Sequence, residues 1–115
     1  MMYTVGLLTY VPSNFLEWED SMELSVKGYR RRDVPFEYIE EPFEMTNSAE
    51  VCFGIAEVDW PLVVGAGIFD YNIAELLVAN FLTAPLRVYK ESSVSFLKHA
   101  ITISLNRWPK MVAPQ

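Results

Sequence analysis

The stretch from Glu50 to Leu86, EVCFGIAEVDWPLVVGAGIFDYNIAELLVANFLTAPL, does most to limit what this chain can become. Its longest wholly apolar run, Trp60–Phe69, is ten residues, and Glu75 interrupts the next, Ile73–Leu82. A membrane-spanning helix needs about 20. Pro61 stops a helix at the start of the first run. Val63, Val64 and Ile68, interleaved with Gly65 and Gly67, suit a strand packed on both faces. Leu62–Asp70 therefore reads as a continuous buried strand, its glycines leaving room for another backbone or a bulky ring such as Trp60. Upstream, Val51, Phe53 and Ile55 alternate with Glu50, Cys52 and Gly54, the period of a half-buried strand. Cys52, opposite that apolar set, is expected as a small space-filling residue. Ile73–Leu82 has the propensity of a helix. No N-cap pattern or closing glycine brackets it, however, and both neighbours read as strands, so a strand is the better reading.

The remaining segments extend the β pattern. Tyr3–Val11 is rich in Val, Thr and Tyr and is closed by Pro12-Ser13-Asn14, a strand covered on both sides. Phe15–Val26 mixes helical spacing with alternation. It is expected as an acidic, exposed loop or single helical turn leading into a strand, with Glu17, Glu19, Asp20 and Glu23 in solvent. In Lys27–Tyr38, an extended chain puts Tyr29, Arg31 and Asp33 on one side and Arg30, Arg32 and Val34 on the other. Pro35 argues for an edge or a strand end, and the arginines are expected to pair with nearby carboxylates. Glu37–Ser48 reads as loop around a short strand at Phe43–Met45, with a turn at Asn47-Ser48. Val88-Tyr89 and Val94–Phe96 flank polar Lys90–Ser93 as a hairpin, Leu97–Ala100 turns the chain, and Ile101, Ile103 and Leu105 alternate as a half-buried strand. About seven or eight short strands at such spacing predict a mainly β, single-domain antiparallel β-sandwich, jelly-roll-like, with few or no helices. It covers residues 1–106. Residues 107–115 form a tail whose Trp108 and Met111 can dock on the domain or on a neighbour.

Composition narrows the function classes. With 51% hydrophobic and 21% charged residues the chain buries too much apolar surface to be disordered. A net charge of −6 repels a phosphate backbone, and the acidic residues from Asp33 to Glu44 offset the single basic cluster, Arg30–Arg32, so nucleic acid is not an expected partner. Cys52 is the only cysteine and His99 the only histidine, which excludes an intrachain disulfide and a thiolate zinc site. No nucleophile elbow and no phosphate-cradling glycine loop occurs. The expectation is a non-enzymatic domain with no catalytic residue, no metal and no cofactor. The first residues have no basic segment before their short apolar run, so they do not read as a secretory signal. A cytoplasmic protein awaiting a partner, without membrane contact, is expected.

A set of short motifs runs through nearly the whole chain in a fixed order. Val5-Gly-Leu-Leu-Thr9 precedes Pro12, Tyr29-Arg-Arg31 leads to Val34 and Phe36, and Asn47 precedes Val51-Cys-Phe53. Then follow Ala56, Asp59-Trp60, Val63-Val64 and Gly67-Ile-Phe-Asp70. The series closes with Leu76-Leu77, a Leu82-Thr-Ala-Pro85 turn, Val88, Val94-Ser-Phe96 and Ile101–Leu105. This series resembles a family of small tailed-bacteriophage virion proteins, described as tail or tail-fibre proteins. The chain departs from the family pattern at Pro61, at Tyr71-Asn72-Ile73-Ala74 and at Ser92-Ser93, where the family carries glycine-containing turns.

The resemblance implies a non-catalytic β-sandwich assembling with other virion proteins, as a homo-oligomer, in a tail, baseplate or fibre. A capsid decoration protein is the alternative. A carbohydrate- or receptor-binding module is a further one, with Tyr71, Tyr89 and Trp108 as candidate sugar platforms. If assembly is the function, Arg30, Arg32, Trp18 and Trp108 are the expected interface residues, being bulky or cationic and outside the regular strands.

Overall fold

The computed structural model describes residues 1–39 and 44–104. Among the described residues there are eight strands: β1 (Met2–Leu8), β2 (Arg32–Ile39), β3 (Glu44–Asn47), β4 (Val51–Ile55), β5 (Val63–Asp70), β6 (Leu76–Leu86), β7 (Ser93–Phe96) and β8 (Thr102–Ser104). Two short 3-10 turns, Phe15–Glu17 and Asp20–Met22, are the helical content of the described residues. The fold is thus mainly β, as expected: a curled antiparallel sheet in the order β6-β5-β1-β2-β3-β8, with a two-stranded β4–β7 sheet beside it.

The opening stretch supplies one end of the large sheet, β6 and β5, and β4 of the small one. β5 pairs with β1 from Tyr3↔Asp70 to Leu8↔Gly65, and with β6 on its other side. Val63, Ile68 and Phe69 are fully buried, as are Val5, Leu7 and Leu8 of β1, so both strands are covered on both faces at this crossing. Gly65 is required by a close approach, though Trp60 is not its cause. A Cβ there would clash with Val11 Cγ2 and lie 2.7 Å from the Asn80 carbonyl oxygen.

Ile73–Leu82 is strand where β6 begins, and residues 71–75 form the β5–β6 turn. The turn expected at Leu82-Thr-Ala-Pro85 lies instead inside β6. Between the pairs Val63↔Leu86 and Gly65↔Phe81, β5 advances two residues and β6 five, so β6 bulges by three. Pro85 is accommodated there because β6 is an outer strand.

Other local readings are corrected by pairing. Pro35 sits in an interior strand, at the point where β2 exchanges neighbours: Met2↔Pro35 is the outermost β1 pair, and the β3 ladder begins at Phe36↔Asn47. The Pro35 carbonyl accepts from Ser48 N–H at 2.9 Å. Since a strand residue's N and O point to the same side, the missing donor falls beyond the β3 ladder. β2 also runs on to Ile39, where loop was expected. In β4, one residue of β7 spans Cys52 to Gly54 (Cys52↔Ser95, Gly54↔Val94), and this bulge turns Ile55 out to 67% exposure instead of inward. Cys52 is exposed and fills no space. Val88-Tyr89 forms no hairpin with Val94–Phe96, because β7 pairs with β4 and the Val88 carbonyl accepts from Trp60 N–H. The strand expected before Val26 shrinks to one bridge, Leu8↔Glu23, from which Leu24 turns into the core.

Asn47 anchors the far end of the sheet. Its side chain, fully buried, donates to the Ala49 and Leu97 carbonyls at 2.8 and 2.9 Å and accepts from Ile101 N–H at 2.8 Å. Its backbone carbonyl accepts from His99 N–H. One residue thereby shapes the turn that leads into β8. His99, at φ +68°, lies on that turn with Nε2 3.3 Å from Glu37 Oε2 in a half-exposed pair, as befits a surface histidine.

Candidate assembly surface

The basic cluster divides three ways. Arg31 is held in a partly buried polar group with Glu23 and Tyr29. Its Nε and Nη2 donate to both oxygens of Glu23 at 2.8–3.0 Å, and its guanidinium lies 3.7 Å from the centre of the Phe69 ring. Tyr29 donates to Glu23 Oε2 at 2.7 Å and accepts from Leu7 N–H at 2.9 Å. Gly6 makes room for the cluster, since a Cβ at that position would lie 2.8 Å from Glu23 Oε2 and 2.9 Å from Phe69 Cε1. Burial, reinforced by the Glu23 hydrogen bond, holds the Tyr29 hydroxyl well above the usual tyrosine range. Glu23, expected in solvent with its acidic neighbours, has a side chain only 13% exposed. A largely desolvated carboxylate is tolerable here because a bidentate arginine and a phenol satisfy it.

The four expected interface residues are not brought together. Arg30 is exposed, whereas Arg32 turns inward, Nη2 donating to the Phe53 carbonyl at 3.1 Å with Nε buried and unpartnered. Trp18 is half-buried, edge-on to Phe69 at 5.5 Å. Trp108 lies outside the described residues. Arg30 is left as the fully surface-borne member among those described. For a glycan platform, Tyr71 and Tyr89 are both exposed but flank opposite ends of β6, about 30 Å of strand apart.

The described surface carries its largest exposed apolar side chains elsewhere. Phe81 is 67% exposed on β6, and Leu16 is 80% exposed on the first 3-10 turn, which packs against that strand. Leu97, 70% exposed, lies on the Asn47-anchored turn. A groove opens between the distal half of β6 and this turn, with Phe81 and Leu82 on one side and Phe96 and Ile101 on the other. β6 contains no charged residue over its 11 positions. Outer strands are ordinarily protected by charge. Sequence reasoning passed over Phe81, although an uncharged strand holding a proline near its end is itself a signal of an outer position.

Among the described residues, no group of three or more His, Cys, Asp or Glu side chains could hold a metal ion. No helix among them is long and apolar enough to cross a membrane. No family model, curated protein or solved structure matches the chain.

Proposed function

We propose that this protein is a non-enzymatic structural component of a tailed-phage particle, associated with tail, baseplate or fibre, acting through protein–protein contacts with other virion proteins and with copies of itself. The observation that carries the reading is where the resembling motifs fall in the fold. Gly6 admits the partly buried Glu23–Tyr29–Arg31 group. Asn47 shapes the turn into β8, Asp59 accepts from Lys90 N–H at 2.7 Å, and Asp70 caps the β5–β6 turn by accepting from Asn72 and Ile73 N–H. The shared residues are therefore those that fix core and turns, as expected where a family preserves a scaffold for assembly. The uncharged β6, with Phe81 in the open, adds a surface suited to contact with another protein.

Mass spectrometry of purified particles, with heads and tails separated, tests this reading. The protein is expected in the tail fraction. Recovery with heads alone would favour a capsid decoration role, and absence from both would reject a virion role.

A further inference from the structure

The small sheet has an open edge of its own. Among the described residues, β7 pairs with β4 on one side and has no strand on the other. Ala56 N–H donates to the Ser92 carbonyl, which fixes that carbonyl toward β4. Backbone groups of successive strand residues face alternate sides, so Val94 and Phe96 bond toward β4 while those of Ser93 and Ser95 point away from it. Both serines are exposed. Ser92–Leu97 carries no charge and no proline, the devices that ordinarily guard such an edge. Charges stand just beyond it, Lys90 and Glu91 at one end and Lys98 and His99 at the other. The groove beside Phe81 is lined by Phe96 and Ile101 and not by Ser93 or Ser95, so this edge is a separate surface.

We propose that a second copy of this chain occupies the edge, β7 pairing antiparallel with β7 about a twofold axis at Ser95, so that two β4–β7 sheets join into one of four strands. Only residues whose backbone groups face outward on both strands can bond, which restricts the axis to a few positions. With the axis at Ser95, the two Ser95 residues exchange both hydrogen bonds. On either side of them, Leu97 N–H donates to the Ser93 carbonyl of the other copy. The charges select this register. It brings Glu91 of each copy level with Lys98 and His99 of the other, whereas an axis at Val94 sets Lys90 against Lys98, and one at Phe96 leaves Glu91 opposite Ile101. Opposite charges across a strand pair stabilise it and like charges destabilise it. The contact is self-complementary and closes on itself as a dimer. The inference rests on the self-assembly proposed above and names one joint of it.

Disulfide trapping in the full-length chain carrying Cys52→Ser tests it. Directly bonded partners lie about 5.5 Å apart at Cα, within the reach of a disulfide, so Ser95→Cys should form a covalent dimer under mild oxidation. Ser93 of the two copies lies four positions out of step, about 13 Å along the strand, and Ser93→Cys should cross-link at least roughly tenfold more slowly. Equal rates, or no cross-link at Ser95, would overturn the joint even if light scattering reports an oligomer. A charge exchange gives a second reading with the edge backbone untouched. Glu91→Lys should weaken the dimer roughly five- to tenfold by light scattering, and adding Lys98→Glu should restore it. A double variant as weak as the single one would also overturn the proposal. Absence of the protein from purified particles, by contrast, rejects the virion reading and leaves the cross-linking result standing.

Discussion

Tyr29 donates to Glu23 while accepting from Leu7, so its hydroxyl ties a partly buried carboxylate to the β1 backbone. Tyr29→Phe should lower stability by about 1–3 kcal/mol, the cost of leaving buried polar groups short of a partner. Because the phenol's pKa is raised by folding, the unfolded chain loses this proton first. Its stabilising contribution is complete below about pH 10 and falls as pH rises above it. Urea unfolding at neutral pH and near pH 11 measures both effects, and the variant should show a shallower alkaline loss. Arg31→Ala leaves the partly buried Glu23 without its cation and should cost about 1–3 kcal/mol. Arg30→Ala, at an exposed position, should change stability by less than about 0.5 kcal/mol. Equal losses for the two variants would refute the division of the arginine cluster. That division was only partly legible in the sequence. The alternation of side chains separated Arg31 from Arg30 and Arg32, and pairing with a carboxylate was expected. Burial of Glu23 was hidden because its partners reach it across an irregular connection, where sequence spacing says little about distance.

At the level of elements, the turns carry the conformational cost. Ala74 closes the β5–β6 turn at φ +63°, a region costing a residue with a Cβ about 1 kcal/mol or more. Its N–H donates to the Asp70 carbonyl, and its own carbonyl accepts from Arg31. Ala74→Gly should therefore raise stability by about 0.5–1 kcal/mol, measured as a shift in the urea midpoint at constant slope. A lower midpoint would show that the turn is not strained. Strands were the most legible elements, since β-branched residues around glycine mark β5 and alternation marks β4. Their irregularities were not. Ile55 faces outward because β4 carries one extra residue opposite β7, and the Leu82–Pro85 segment stays in β6 because a three-residue bulge absorbs it. A bulge is set by two strands together, and neither sequence alone contains it.

For the whole molecule, a net charge of −6 opposes self-association except where the facing surfaces are neutral. β6 and its Phe81 form such a surface, and they escaped the sequence reading because exposure depends on which strand ends up outermost. Size-exclusion chromatography with light scattering should find a homo-oligomer at high protein concentration, whereas a persistent monomer would count against a fibre-like assembly. The mainly β architecture was legible at this scale. Its division into six strands and two was not, because long-range pairing decides which strand joins which sheet. The central claim is that the molecule is a built-in part of a particle. Quantitative mass spectrometry against a labelled standard, applied to purified tails, tests it most directly. A fixed copy number per tail, reproducible across preparations, is the expected result; absence, or an amount that varies with washing, would contradict the account.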